Sequence, residues 1–137
     1  MRFDTKIAIV VRDDIPTWQK LNMTAFLASG VAGRLPETIG EPYRDGSGRA
    51  YCAMFRQPVM VFAAPDRQAV KAAYDAAFAR ELTIAVFTDE LFATGHDAAN
   101  RAAIAAVPSA DLVLAGLAVH GPKNAVDKAL KGLSLHP

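Results

Sequence analysis

The chain reads as an α/β protein, a three-layer α/β/α sandwich built on a mixed, mostly parallel sheet. Three observations predict this. Four short runs are continuously apolar, at 6–12, 58–64, 82–87 and 112–119, as expected of strands covered on both faces. Segments with helical spacing separate them, so strands and helices alternate. Several of the runs end in polar residues, where sites form in open α/β sheets.

The first run, Lys6-Ile7-Ala8-Ile9-Val10-Val11-Arg12, is the expected central strand, and Asp13-Asp14-Ile15-Pro16-Thr17 is its turn. A helix follows from about Trp18 to Ala32 and stops at Gly33, a plausible C′ glycine. Trp18, Leu21, Ala25, Ala28 and Ala32 form its predicted apolar face, widened by Phe26 and Leu27, and Thr17 or Asp14 is its expected cap. The small residues Ala25, Ala28 and Ser29 suggest close packing on the sheet.

Glu41–Met54 reads as a hairpin turning at Asp45-Gly46-Ser47-Gly48, with Tyr43 and Tyr51 flanking the turn. The Gly-Ser-Gly there is no phosphate loop, because no helix opening with Lys-Ser or Lys-Thr follows. Cys52 lies in this hairpin with no base nearby in sequence and reads as inert.

Pro58–Ala64 is the second core strand. Asp66 then caps a helix to about Arg80, in which Val70, Ala73, Tyr74, Ala77 and Phe78 make a core-facing stripe. Leu82–Phe87 is the third core strand and ends in Thr88-Asp89-Glu90. A turn at 91–95 and an alanine-rich helix from Asp97 to Ala106 follow. Leu112–Val119 is the fourth core strand, broken by His120-Gly121-Pro122. A last helix spans Asn124–Leu130, with Gly132 as its stop and Leu133 and Leu135 tucking back.

The 137 residues predict one domain, residues 1–137, large enough for a real core, and no linker divides them. A composition 52% hydrophobic and 21% charged argues against disorder. A net charge of +1 without a basic stripe disfavours a dedicated nucleic-acid binder. The single cysteine excludes an intramolecular disulfide and fits a reducing cytoplasm. No signal-peptide core and no apolar run of about 20 residues is seen. A cytoplasmic protein without a membrane partner is the expectation.

The two ends of the chain resemble the peptidyl-tRNA hydrolase type II family. Lys6-Ile7-Ala8-Ile9-Val10-Val11-Arg12-Asp13-Asp14 is similar to that family's first strand and its Val-Val-Arg-x-Asp turn. The ending Gly121-Pro122, Asp127-Lys128 and Gly132-Leu133-Ser134-Leu135 looks like its closing Gly-Pro, Asp-Lys and Gly-x-Leu-x-Leu pattern. A closer resemblance is to an uncharacterised bacterial family, a domain of unknown function with this fold. The segment Leu21-Asn22-Met23-Thr24-Ala25-Phe26-Leu27-Ala28-Ser29-Gly30, the Tyr43-Arg44-Asp45 hairpin and the stretch from Phe87-Thr88 to Thr94 carry it. The resemblance implies a three-layer domain with an antiparallel last core strand, and a homodimer.

The departures bear on function. The hydrolase family carries Gly-Lys-x-Ala-Ala-Gln-x-x-His-Ala. With a one-residue gap Lys20 takes the lysine position, while Thr24 and Leu27 replace the glutamine and histidine. The family's Asp-Ala-Gly-x-Thr becomes Thr88-Asp89-Glu90-Leu91-Phe92-Ala93-Thr94, which keeps an acid and loses the glycine. The reading is a small-ligand binding or regulatory module that has lost the hydrolase motif. The alternative is a hydrolase of an ester or amide, including aminoacyl- or peptidyl-tRNA-like substrates. There Lys20 would stabilise an oxyanion, Asp89 activate water and Thr94 complete the site.

Arg12, Asp14, Asn22, Thr24, Thr88, His120 and Gly121 are the candidate ligand-binding residues, from strand ends and from the polar interruptions of the first helix. Five of the candidate residues have a plainer reading: Lys20 as a solvated helix residue, Asp89 as a cap, Asn22 and Thr24 as surface groups, His120 as a local hydrogen-bonding group. Asp13, Asp14, Asp89 and Glu90 show no ordered cation-ligand spacing, and His96, His120 and His136 no zinc spacing, so no metal or cofactor is expected. An unidentified small molecule is the expected partner, and tRNA is a partner that the net charge disfavours.

Overall fold

The structure, a computed structural model, describes residues 2–137. In chain order it runs β1 (Thr5–Arg12), α1 (Thr17–Arg34), β2 (Tyr43–Arg44), β3 (Ala50–Tyr51), β4 (Val59–Ala64), α2 (Arg67–Ala79), β5 (Thr83–Thr88), α3 (Asp97–Ala105), β6 (Leu114–Pro122), α4 (Lys123–Ala129) and β7 (Ser134–Leu135). Five strands form one sheet in the order β5-β6-β1-β4-β7, and β2 and β3 form a separate ribbon.

The sheet is mixed but mostly antiparallel, which corrects the expectation of a mostly parallel one. Only β1 and β4 are parallel neighbours; β1/β6, β5/β6 and β4/β7 are antiparallel. The reason lies in β6. It inserts between β1 and β5 and is buried on both faces, so its apolar run is continuous whichever way it points. It is also the antiparallel last core strand that the family resemblance implies. β1, β4 and β5 still run in one direction, so Arg12, Ala64 and Thr88 lie at the same edge.

Strand alternation sorts the core into two clusters. Ile7, Ile9 and Val11 face α1 with Met23, Leu27 and Val31. Ala8 and Val10 face α2 and α4 with Val70, Ala73, Ala77, Val126 and Ala129. The layers are therefore α1, sheet, and α2 with α4. The central sheet strands bury almost all their side chains, at about 1.5–3 kcal/mol for each large one. Where β6 passes Phe87 and Thr88 the register shifts. A Cβ on Gly116 at this point would lie 2.5 Å from the Val10 carbonyl oxygen and 2.7 Å from Met23 Sδ. Only glycine lets the strand and α1 approach this closely.

Several local expectations change. α1 buries Met23, Leu27 and Val31, not the predicted Trp18–Leu21–Ala25 face. Trp18, Leu21 and Phe26 are at least half exposed, and Ala25 and Ser29 face outward. The helix is apolar almost all round, so its periodicity does not identify the inner face. It runs through Gly33 to Arg34, with Leu35 as its C-cap and Pro16, which makes no side-chain bond, as its N-cap. Phe78 is exposed rather than core, although Val70, Ala73 and Ala77 of the same stripe are buried. His120, Gly121 and Pro122 do not break β6 but continue it, paired with Ile7, Lys6 and Thr5.

Asp66 caps α2 as read, its carboxylate accepting from the Ala69 amide at 2.9 Å. The hairpin forms with Tyr43 opposite Tyr51. Asp45 organises its turn, accepting from the Ser47 and Arg49 amides at 3.0 Å each and from the Tyr51 hydroxyl at 2.8 Å. The segment after β5 is a 3-10 turn, Asp89–Ala93. Among the described residues, no helix is long and apolar enough to cross a membrane.

Candidate functional site

The parallel pair β1/β4 is where the topology places a crevice. After β1 the chain turns into α1 on one face of the sheet; after β4 it turns into α2 on the other. Such diverging connections mark the carboxyl ends of the two strands as the switch point at which sites form in α/β sheets. The Asp13 amide donates to the Ala64 carbonyl at 2.7 Å and ties the two ends together. Two clusters of charged side chains gather here.

The first cluster joins β1, α1 and the C-terminal segment. Lys20, at the end of the first turn of α1, donates to Asp13 Oδ1 at 2.6 Å. Its Nζ also lies 3.3 Å from His136 Nε2, and His136 Nε2 lies 3.5 Å from Asp13 Oδ1. β7 delivers the histidine: it pairs with β4, and the His136 amide then donates to the Val61 carbonyl at 2.9 Å. His136 Nδ1 lies 3.0 Å from the Pro137 carbonyl oxygen. A neutral ring with its proton on Nδ1 satisfies both contacts, donating to Pro137 and accepting from Lys20. The Lys20 ammonium, by hydrogen bond and by charge, holds the Asp13 carboxyl below the usual carboxylate range.

The second cluster is organised by Arg12, whose side chain leaves the strand on the opposite face from Val11. Its guanidinium grips Asp14 with two bonds, Nε to Oδ1 at 2.9 Å and Nη2 to Oδ2 at 3.1 Å. Nη1 reaches both oxygens of Asp89, at 3.1 and 3.2 Å. The Arg12 hydrogen bond is the main cause that lowers the Asp14 carboxyl pKa, and the Asp14 bond is the main cause that raises that of Arg12.

Exposure separates the two signs of charge. The Arg12 and Lys20 side chains are 13% and 15% exposed, whereas those of Asp13, Asp14 and Asp89 are 52%, 45% and 46% exposed. The cations lie beneath and the carboxylates face outward. The edge presents hydrogen-bond acceptors to solvent over a neutralising floor. Among the described residues Asp13 Oδ2 takes no hydrogen bond, so it is the open acceptor.

The sequence-derived candidates divide between this edge and other places. Arg12, Asp14, Lys20 and Asp89 gather here, but Lys20 and Asp89 take different partners, Asp13 and Arg12. Thr24 sits one turn after Lys20 and donates to its carbonyl at 2.7 Å. Asn22 is exposed on α1. Thr94 caps the 3-10 turn, donating to the Leu91 carbonyl at 3.0 Å and contacting Asn100 Oδ1. Thr88 is buried, and its hydroxyl has no partner among the described residues.

His120 and Gly121 lie at the other end of the sheet, opposite Ile7 and Lys6. His120 is pushed below its ordinary pKa by burial, with Glu37 opposing. A Cβ on Gly121 would fall 2.4 Å from Leu82 Cδ2, so that glycine serves packing. Among the described residues no cluster of three or more His, Cys, Asp or Glu is arranged to hold a metal.

His136 is the crevice residue that sequence reasoning passed over. Its signal was the closing Leu133-Ser134-Leu135, an alternating run that forms β7 and sets the next residue beside β4.

Comparison with known proteins shows the family of the chain. The family model described as "Protein of unknown function (DUF2000)" matches residues 5–137. No curated protein matches. A solved structure, that of the protein of unknown function Atu0240 from Agrobacterium tumefaciens strain C58, superposes with a TM-score of 0.95. It is 43% identical over 99% of this chain and 100% of its own.

Proposed function

The chain belongs to the DUF2000 family of unknown function, and from its own crevice we propose that it is a small-ligand-binding module. Its site is the Asp13–Lys20–His136 cluster, with Arg12 holding Asp14 and Asp89 beside it. One observation carries this reading: the cations are underneath and occupied, while Asp13 presents an unused oxygen outward. Such a surface takes a group that donates hydrogen bonds, a primary amine or a hydroxyl, and repels phosphate. It therefore disfavours tRNA, whose binding draws on exposed cations. Ile15, half-buried in the turn after β1, packs on the α1-side cluster and offers an apolar group beside the charged residues.

The reading is tested by ligand-observed NMR with a panel of small primary amines and polyols. A bound member is expected to lose at least tenfold in affinity on Asp13→Asn and to be unaffected by His120→Asn. Equal binding by the Asp13→Asn protein, or no binding across the panel, rejects it.

A second reading, hydrolysis of an ester or amide, has one specific support. A lysine, a carboxylate and an imidazole meet within 3.5 Å. In it Asp13 Oδ2 orients a water and Lys20 stabilises the developing oxyanion. The same pairing of Lys20 with Asp89 lacks that support, because Asp89 is gripped by Arg12. Ester turnover that vanishes in a folded Lys20→Met protein would favour hydrolysis over simple binding.

A further inference from the structure

We propose that a cavity at the amino-terminal ends of β1 and β4 binds an organic carboxylate, an acid group carried on an apolar body. The cavity lies at the opposite end of β1 from the Asp13–Lys20–His136 cluster and does not depend on the function read from that cluster.

The topology explains why there is a cavity. β7 is two residues long and pairs with β4 only at Phe62 and Ala63. Among the described residues, the part of β4 before Val61 has no strand on its outer side. Val59 and Val61 pack in the α1-side cluster, so Met60 between them faces the layer of α2 and α4. Lys6 of β1 leaves the sheet on that same face and donates to Asp127 of α4 at 2.7 Å. The Lys123 amide donates to the Asp4 carbonyl at 3.0 Å, which sets the start of α4 beside the chain entering β1. Between these parts is a cavity of about 320 Å³, at the lower end of the range for small-molecule sites.

The lining sets the class of ligand. Phe3, Pro58 and Met60 make an apolar wall, and Arg2, Lys6 and Lys123 bring three cations. Among the described residues no carboxylate lines the cavity. Asp127 engages Lys6 from α4, and Asp4 borders a neighbouring depression that Arg2 and Lys123 also border. Arg2 and Lys123 make no hydrogen bond or ion pair among the described residues. Arg56 adds positive charge close by, its guanidinium carbon 5.6 Å from the centroid of the Phe3 ring.

This inverts the arrangement at the carboxyl end of β1, where the cations are engaged and the carboxylates face outward. Two unengaged cations beside an apolar wall match an anion that brings its own apolar surface. The acid group accepts from Arg2 and Lys123, and the body takes Phe3 and Met60 out of water. A bare phosphate would leave the wall unused, and an amine would meet three like charges. The ligand class is therefore a fatty or aryl carboxylate.

The experiment is an amide NMR titration of the full chain with octanoate kept below micelle formation, with octylamine and inorganic phosphate as the paired probes. Octanoate is expected to shift the amides of Lys6, Met60 and Lys123 saturably, and the other two probes to bind at least tenfold more weakly. Arg2 and Lys123 are exposed, so Arg2→Ala and Lys123→Ala are compatible with folding. Each is expected to weaken octanoate about tenfold, the loss of one hydrogen bond to a charged group. Met60→Gln, which keeps the length of the side chain, is expected to weaken octanoate severalfold and to leave phosphate unchanged. No saturable shift overturns the proposal, as does octanoate binding undiminished in the Arg2→Ala, Lys123→Ala double variant. Octylamine binding as tightly as octanoate overturns the acid assignment. Phosphate binding as tightly overturns the apolar body and leaves an inorganic-anion site. Shifts confined to Asp13 and Lys20 place the acid at the other end of β1 and overturn the site.

Discussion

Lys20 donates to Asp13 at 2.6 Å, so the first helix and the turn that precedes it are closed on each other by a charge pair seven residues apart. The lysine is nearly buried and the carboxylate half exposed. The pair thus fixes the cation as a floor and leaves the acid as the surface group.

That relationship predicts a change in titration. In the native protein the Asp13 carboxyl lies below its ordinary range because of Lys20. Lys20→Met should return it toward about 3.9, read by carboxyl-carbon NMR. For stability the sign is that of a depressed acid. Its contribution is complete above the unfolded value and is lost as pH falls through the lower folded value. The melting temperature of wild type should therefore fall more steeply below about pH 4 than that of Lys20→Met or Asp13→Asn. Identical acid limbs would mean that the pair does not persist in solution.

His120 gives a second window. Burial holds its pKa below the ordinary value, so the unfolded chain binds the proton more readily than the native one. Stability from this group is full above about 6.5 and declines as pH falls through the folded value. His120→Gln should flatten the stability curve as pH falls below about 6.5. Because His120 lies at the far end of β1 from Asp13, the same substitution should leave ligand affinity unchanged. A loss of affinity would extend the site to that end of the sheet.

Gly116 is predicted to be the least replaceable glycine. A methyl group there meets a β1 carbonyl oxygen and the Met23 sulfur, and the carbonyl is backbone that cannot turn aside. Gly116→Ala should cost about 3 kcal/mol, an overpacking penalty, seen as a drop in melting temperature on the order of 10 °C. Gly46→Ala, in open space at the ribbon turn, is the control and should be silent within about 0.5 kcal/mol. Tolerance of alanine at 116 would mean that α1 and the sheet are less closely packed than these distances state.

These sites also explain what could be read from residues alone. The core strands were legible because burial on both faces leaves unbroken runs such as Ile7–Val11 and Leu114–Val119. Their directions were not, since an antiparallel β6 needs the same run as a parallel one. α2 was legible at Asp66 and in the Val70–Ala73–Ala77 stripe, where one face is apolar and the other polar. α1 was not, because Trp18, Leu21 and Phe26 compete with Met23, Leu27 and Val31 for the inner face. The edge of β1 announced itself through Arg12-Asp13-Asp14. The partner of Lys20 did not, because a side chain's partner depends on the paths of two loops and of a two-residue strand that carries His136.

Thr88 supplies the last prediction. Its hydroxyl is buried at the end of β5, in the residue before Asp89, and has no hydrogen-bond partner among the described residues. A buried donor without an acceptor costs about 1–3 kcal/mol, and valine keeps nearly the same shape without that group. Thr88→Val should therefore be neutral or should stabilise by about 1 kcal/mol, raising the melting temperature by a few degrees. If the hydroxyl instead serves a ligand entering from the crevice, the substitution will weaken binding of the amine or polyol found with the wild type. Measuring melting temperature and ligand affinity on the same Thr88→Val protein separates the two roles. Stabilisation with unchanged affinity makes Thr88 a strand residue and confines the site to Asp13, Lys20, His136 and their neighbours on Arg12. Weaker binding would carry the site beneath the crevice toward β5.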